Sequence, residues 1–284
     1  MDKFIVDSPA KINLGLNVVR KRDDGYHDLE TIFVPIMLSD RITFYKSDKL
    51  NLKSDSDILN KLSDNLILKA IRLLENISMT KIQLDIYLEK LIPIGGGLGG
   101  GSSNAASTLK AINKMFDLRL NFKKLSELAL ELGSDVPFFL NPVASYAESR
   151  GEILYPLNIE LPYPILIINP RIKIDTAWAF KKIKPCKPFK NLRDIFQEGS
   201  FDLYNLKEYV KNDFEEIVFN EFPELKKLKA ELFRQGAQFA LMSGTGSTVY
   251  GIFSNLQKAY WAEEYFKQNY FTYLNNPFTK GSIT

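Results

Sequence analysis

The chain has 284 residues, which at the usual ~100 to 200 residues per domain suggests two domains. Its 45% hydrophobic and 12% aromatic residues supply enough apolar surface for a substantial core and exclude an intrinsically disordered chain. A balance of 37 basic against 34 acidic residues, net +3, lacks the dense positive surface that a phosphate backbone requires, which argues against nucleic acid as a partner. One cysteine, Cys186, and one histidine, His27, exclude a disulfide framework and a Cys/His zinc cluster, so chemistry has to rest on other side chains. The opening MDKFIVDSPAKINL breaks any signal-like apolar stretch with charges, and apolar runs such as Ile165–Ile168 fall far below the ~20 residues that span a bilayer. A cytoplasmic protein without a membrane partner is expected, in which Cys186 is a bystander.

In chain order, residues 11–19 and 41–45 favour strand, with Asp23-Asp24-Gly25 as a turn between them. Residues 65–75 carry Leu66, Ala70 and Leu73 or Leu74 at helical spacing, and residues 81–90 then alternate Ile82, Leu84, Ile86 and Leu88 with polar partners, a half-buried strand. Ala105, Leu109, Ile112 and Phe116 form one apolar stripe on a helix of about four turns. A second helix spans 122–132, with Asn121 as N-cap and Gly133 as its stop. Pro156, Pro162 and Pro164 mark a boundary, and the chain divides into an N-terminal domain of residues 1–155 and a C-terminal domain of residues 156–284. Beyond it, strand-like 164–169, helical 176–183 and 223–234, and strands at 238–242 and 248–253 complete an α+β pattern.

The most informative stretch is PIGGGLGGGSSNAA, Pro93 to Ala106, where six of the seven residues from Gly95 to Gly101 are glycine between a strand and a helix. Glycine admits left-handed backbone and close ligand approach, and free N–H groups at the following helix start attract anions; together these build a phosphate cradle. A flexible linker is the plain alternative, but linkers join domains, whereas this tract joins an alternating strand to an amphipathic helix. Gly95, Gly97 and Gly100 satisfy GxGxxG, yet the preceding strand alternates instead of running continuously apolar. The acid at the expected distance, Asp117, ends a helix instead of a strand. A P-loop is excluded because Gly101 stands where Lys is needed. Some other residue must supply the positive charge.

The tract resembles the ATP loop of the GHMP small-molecule kinases. With SPAKINLGLNV (Ser8–Val18), DGYHDLET (Asp24–Thr31), GSDVPFFL (Gly133–Leu140) and SGTGSTVYGIF (Ser243–Phe253), the chain is similar to the branch of that family acting on a cytidine diphosphate-linked methylerythritol in the non-mevalonate isoprenoid route. The resemblance implies a two-domain GHMP-kinase-like fold, an N-terminal βα domain with a glycine-rich phosphate loop and a C-terminal ferredoxin-like α/β sandwich. Catalysis would occur between the domains, with ATP as co-substrate. Pro93, Ile94, Gly95, Gly96, Gly97, Leu98, Gly99, Gly100, Gly101, Ser102 and Ser103 are the implied ATP-binding residues. Mg2+ is expected because ATP phosphates need a counter-cation, with its protein ligands unassigned. A monomer or weak homodimer is expected.

By the same resemblance Asp135 is the base that takes the proton of the acceptor 2-hydroxyl, and Lys11 the cation that keeps that carboxylate ionised and stabilises charge on the acceptor oxygen. Their neighbours alone permit plainer roles, a turn cap for Asp135 and a solvated strand lysine for Lys11. Asn13 is implied as a substrate hydrogen-bonder. Tyr26 and His27 suit stacking on and edge-reading of a cytosine, although a lone histidine is more often structural. Phe180 is the candidate for the other face of the base, with Trp178 as competitor and core packing as an alternative for both. Ser243–Ser247 reads as a hairpin that the family sets beside the phosphates, and Lys181–Lys190 as a solvated basic loop. Two rivals stay open: a kinase for mevalonate or homoserine, and a non-catalytic nucleotide- or RNA-binding module.

Overall fold

A computed structural model describes residues 3–60, 65–159, 161–188, 190–197 and 203–278. The chain folds into two compact units, one of Met1–Ala10, Leu38–Ile94 and Gly99–Pro142, the other of Lys11–Met37, Gly95–Leu98 and Val143–Thr284. The sequence places a single boundary at residue 155, whereas these units interleave. The reason lies in β1 (Lys3–Lys21) and β2 (His27–Lys46), strands of 19 and 20 residues that each run through both units. The turn between them is the expected one, with Gly25 at φ +87° and the Tyr26 N–H held by Asp24 Oδ1.

In the first unit, β3 (Asn51–Ser54) runs parallel to β4 (Leu84–Glu89), and β4 pairs antiparallel with residues 41–46 of β2. The alternation in β4 puts Leu84, Ile86 and Leu88 inside, all at most 2% exposed. After a short α1 (Asp57–Asn60), α2 (Leu66–Ser78) starts on the Asn65 cap, whose side chain accepts the Ile67 N–H. The predicted helices follow as α3 (Gly100–Met115) and α4 (Phe122–Leu132). Asn121 caps α4 through the Lys124 N–H and Gly133 ends it. These three helices pack on one another, and Ala105, Leu109 and Ile112 are fully buried; each large apolar side chain so removed from water contributes ~1.5 to 3 kcal/mol. A 3₁₀ turn, Pro137–Leu140, closes the unit.

In the second unit, residues 29–33 of β2 pair antiparallel with β5 (Ser145–Ser149), which pairs with β6 (Ile153–Pro156). A separate antiparallel sheet has the order β10, β7, β9, β8, from β7 (Ile165–Asn169), β8 (Phe239–Met242), β9 (Val249–Ile252) and β10 (Phe271–Asn275). Helices α5 (Thr176–Lys182), α6 (Leu192–Gln197), α7 (Leu203–Tyr209), α8 (Phe214–Glu221), α9 (Pro223–Arg234) and α10 (Leu256–Phe266) complete it. One core joins Leu228 and Leu232 of α9 and Phe266 of α10 to Leu166, Ile168, Ala240 and Val249 of the sheet. A second gathers Leu16 and Val18 of β1, Ala179 of α5, Phe214 and Val218 of α8 and Met242. No helix among the described residues is long and apolar enough to cross a membrane.

Candidate active site

Glycines 95, 97 and 99 have φ of +68°, +77° and +71°, so every second residue of the tract takes backbone that side-chain-bearing residues avoid. At Gly97 the requirement is absolute: a Cβ would lie 2.1 Å from the Ser243 carbonyl oxygen. Ser243 begins the SGTGS turn joining β8 to β9. Its hydroxyl donates to Gly97 O at 2.9 Å and accepts the Asn13 N–H at 3.2 Å, and the Thr248 N–H reaches Gly96 O at 3.3 Å. Fully buried Asn212 secures this turn from below, donating at 2.8 Å to both Met242 O and Gly244 O. The two glycine-rich segments thus share backbone contacts within the second unit.

Lys11 and Asn13 sit on β1 beside that junction. The Lys11 N–H donates to Leu98 O at 3.0 Å, and its Nζ donates to Asn13 Oδ1 at 2.6 Å while lying 4.7 Å over the Phe33 ring. With Oδ1 taken by an ammonium, the Asn13 amide is oriented, and its Nδ2 donates to Thr31 Oγ1 at 2.9 Å. The Tyr250 hydroxyl holds Asn13 O at 3.0 Å; complete burial raises that phenol's pKa well above 10, so it acts only as a neutral donor. The sequence allowed Lys11 to be a solvated strand lysine; it is instead 3% exposed. A cation kept from water in this way is compensated by its oxygen partner and ring face.

In the first unit, helix α3 begins at Gly99 with no side chain capping it, leaving its opening N–H dipoles available to an anion. Ser102 is half-buried there, and buried Ser103 Oγ has no hydrogen-bond partner among the described residues. Sequence reasoning missed what holds this end. Asp40, 0% exposed, accepts the Leu91 and Ile92 N–H groups at 2.9 and 2.8 Å on Oδ1. Its Oδ2 accepts Lys90 Nζ at 2.7 Å and Asn104 Nδ2 at 3.0 Å. One carboxylate therefore ties the residues preceding the tract to the helix that follows it. Burial lowers the pKa of Lys90, with Asp40 opposing the shift. The signal for Lys90 was its position immediately before the tract; Asp40, 50 residues upstream, gave none. A cavity of about 320 Å³ lies between β3 and α2, lined in part by Leu52, Ser54, Asn65, Leu68 and Arg72. Asp135 is half-buried in the turn where the Val136 N–H returns to Gly133 O at 3.1 Å.

At the start of β2, Tyr26 is 54% exposed and His27 7% exposed. The His27 ring lies 5.3 Å from Phe180, tilted by 35°, and Phe180 meets Phe214 edge-on at 4.9 Å. Burial, then Lys21, lowers the His27 pKa below 6.5, so at neutral pH the imidazole is uncharged with one donor and one acceptor nitrogen. Phe180 is half-buried against the core and beside His27, whereas its competitor Trp178 meets Phe222 edge-on at 6.1 Å. Cys186 is exposed, as is most of the basic loop around it; Phe189 in that loop lies outside the described residues.

Two phosphate-suited glycine segments, a buried lysine and an aromatic pair on this two-sheet frame define a small-molecule kinase of the GHMP class. The GHMP kinases N terminal domain matches residues 65–141 and the GHMP kinases C terminal domain residues 190–271. Within that class the chain belongs to the 4-diphosphocytidyl-2-C-methyl-D-erythritol kinase family. It is 38% identical over 265 residues to the kinase of that name from Thermodesulfovibrio yellowstonii, covering 91% of this chain and 92% of the relative. It is 42% identical over 255 residues to that from Bacteroides fragilis, covering 88% and 92%. A crystal structure of 4-(cytidine 5'-diphospho)-2C-methyl-D-erythritol kinase superposes with TM-score 0.81 at 31% identity, covering 95% of this chain and 98% of that one. A homoserine kinase from Cytophaga hutchinsonii shares the fold at TM-score 0.72 and 16% identity.

Proposed function

We infer that this chain is an ATP-dependent kinase that transfers the γ-phosphoryl group to the 2-hydroxyl of 4-diphosphocytidyl-2-C-methyl-D-erythritol in isoprenoid precursor synthesis. The observation that carries this is the near-full-length likeness, at 38% and 42% identity, to kinases bearing that substrate's name. In this reading residues 93–103 bind ATP, the uncapped start of α3 and the turned-out glycine N–H groups facing its phosphates. The cavity at Asn65 and Arg72 adjoins α2, whose Leu66 Cδ1 lies 3.6 Å from where a Gly101 Cβ would stand, and it suits the base of the nucleotide.

Asp135 accepts the proton of the acceptor hydroxyl, and Lys11, aligned by Asn13 and Phe33, supplies positive charge to the oxygen that becomes nucleophilic. The buried, neutral His27 reads the cytosine edge beside the Tyr26 and Phe180 rings. Among the described residues no group of three or more His, Cys, Asp or Glu could hold a metal. A magnesium ion would be held largely by phosphate and water oxygens, with the Ser102 hydroxyl and the Ser103 hydroxyl, which has no partner among the described residues, as the protein's contribution, and it would neutralise phosphate charge. Labelled ATP offered with a panel of alcohols tests the reading. Phosphorylation is expected with the cytidine-containing alcohol and not with mevalonate or homoserine. Asp135→Asn is expected to lower turnover ~10² to 10⁴-fold while ATP binding survives; near-normal turnover would remove Asp135 as base.

A further inference from the structure

Three arginines surround the turn between β1 and β2, and their partners differ. Arg20 is spent on Asp28, donating from Nε at 2.9 Å and Nη2 at 2.6 Å. Arg22 is spent on Asp24 at 2.9 Å, Asp28 at 3.5 Å and Ser149 Oγ at 3.0 Å. Arg150 is held differently. Its guanidinium carbon lies 4.8 Å over the Tyr26 ring, and its only carboxylate contact among the described residues is Nε to Glu152 at 3.5 Å. Both terminal nitrogens therefore carry N–H donors without a hydrogen-bond acceptor among the described residues. The side chain is 27% exposed, so those donors are neither buried nor loose.

The backbone is committed to this placement. Arg150 stands in the β5–β6 turn between Ser149 at φ +64° and Gly151 at φ +104°, both in the left-handed region. Glu152 braces the turn, accepting the Arg150 N–H at 2.7 Å and the Ser149 hydroxyl at 3.2 Å, while Arg22 clasps Ser149 from the other side. A guanidinium stacked on an aromatic face keeps its plane fixed and presents a fork that matches two phosphate oxygens.

We propose that Arg150 is a substrate-binding residue that grips the diphosphate of the cytidine diphosphate-linked substrate, using Tyr26 as its backing. This rests on the reading of Tyr26 and His27 as the cytidine end, because a nucleoside diphosphate whose base lies on those rings carries its phosphates within the same neighbourhood. The source of the recognised chemistry is the phosphate linkage, and cytosine oxygen is the competing acceptor that the test separates.

The experiment measures competitive inhibition of the kinase reaction by CDP and by cytidine, in the unaltered chain and in Arg150→Met and Arg150→Lys. Loss of a charge-assisted forked contact is expected to raise the CDP inhibition constant about tenfold or more in Arg150→Met, with cytidine unchanged within about twofold and Arg150→Lys intermediate. An unchanged CDP constant overturns the proposal. So does an equal rise for CDP and cytidine, which would reduce Arg150 to a support for the Tyr26 ring or a reader of the base. Failure of the unaltered chain to phosphorylate the cytidine-containing alcohol would instead strike the activity reading, and the two failures are distinct.

Discussion

Replacing Lys90 with methionine removes the ammonium from a carboxylate that has no access to water. The pair is 2.7 Å long with side chains 7% and 0% exposed, and Lys90 Nζ also donates to Ile92 O at 2.7 Å. Breaking a buried pair by removing one member costs ~3 to 5 kcal/mol, because the remaining charge is uncompensated. Asp40 keeps three donors after the change, the Leu91 and Ile92 N–H groups and Asn104 Nδ2, which places Lys90→Met near the lower end, at about 3 kcal/mol. Asp40→Ala is worse for a countable reason: it strands the buried Ile92 N–H and Asn104 Nδ2 donors at ~1 to 3 kcal/mol each and also leaves the Lys90 ammonium without its carboxylate partner. Since whole domains are stable by only ~5 to 15 kcal/mol, Asp40→Ala should approach unfolding. Urea titration followed by circular dichroism orders the variants, with the midpoint of Asp40→Ala below that of Lys90→Met and both below the parent. The reasoning fails if Lys90→Met lies within about 1 kcal/mol of the parent or is the costlier change.

Further outcomes follow at three single positions. Gly97→Ala sets a Cβ 2.1 Å from Ser243 O at φ +77°, so it should lower the folding stability by more than the ~1 to 2 kcal/mol of left-handed strain alone. Gly101→Ala inside α3 meets only Leu66 at 3.6 Å and should be neutral or stabilising by up to ~1 kcal/mol; thermal unfolding of the two should differ in sign. For His27, the lowered folded pKa means that the unfolded chain binds the extra proton first as pH falls below 6.5, so its contribution to stability is lost on the acid side and absent as a penalty at pH 8. The KM for the cytidine substrate should accordingly be flat above pH 6.5 and rise below it as the imidazole charges. His27→Gln should abolish that rise, and persistence of the rise in the variant would assign it to another group.

The local elements were readable where one periodicity and one stop signal agreed. Asn121 and Gly133 framed α4 residue for residue, Pro223 opened α9, and the alternation of Leu84, Ile86 and Leu88 marked β4. The glycine tract was legible as left-handed backbone leading into a helix for the same reason, since clustered glycines between a strand and a helix have few other uses. Sequence neighbours could not decide which polar residues are buried together. Asp40 meets Lys90 across 50 positions, and Ser243 meets Asn13 across 230.

The sequence by itself therefore determined the α+β class, the left-handed glycine tract before α3 and, through DGYH and PAKIN, the family. Short-range backbone chemistry writes these into adjacent residues. Only the tertiary structure decided that Lys11 is buried and fastened to Asn13, that Asp40 clamps both flanks of the tract, and that Arg20 and Arg22 pair closely with carboxylates while the terminal nitrogens of Arg150, stacked on Tyr26, have no acceptor among the described residues. Burial and ion pairing depend on which distant strands become neighbours, and the long β1 and β2 bring those residues together after the chain has folded.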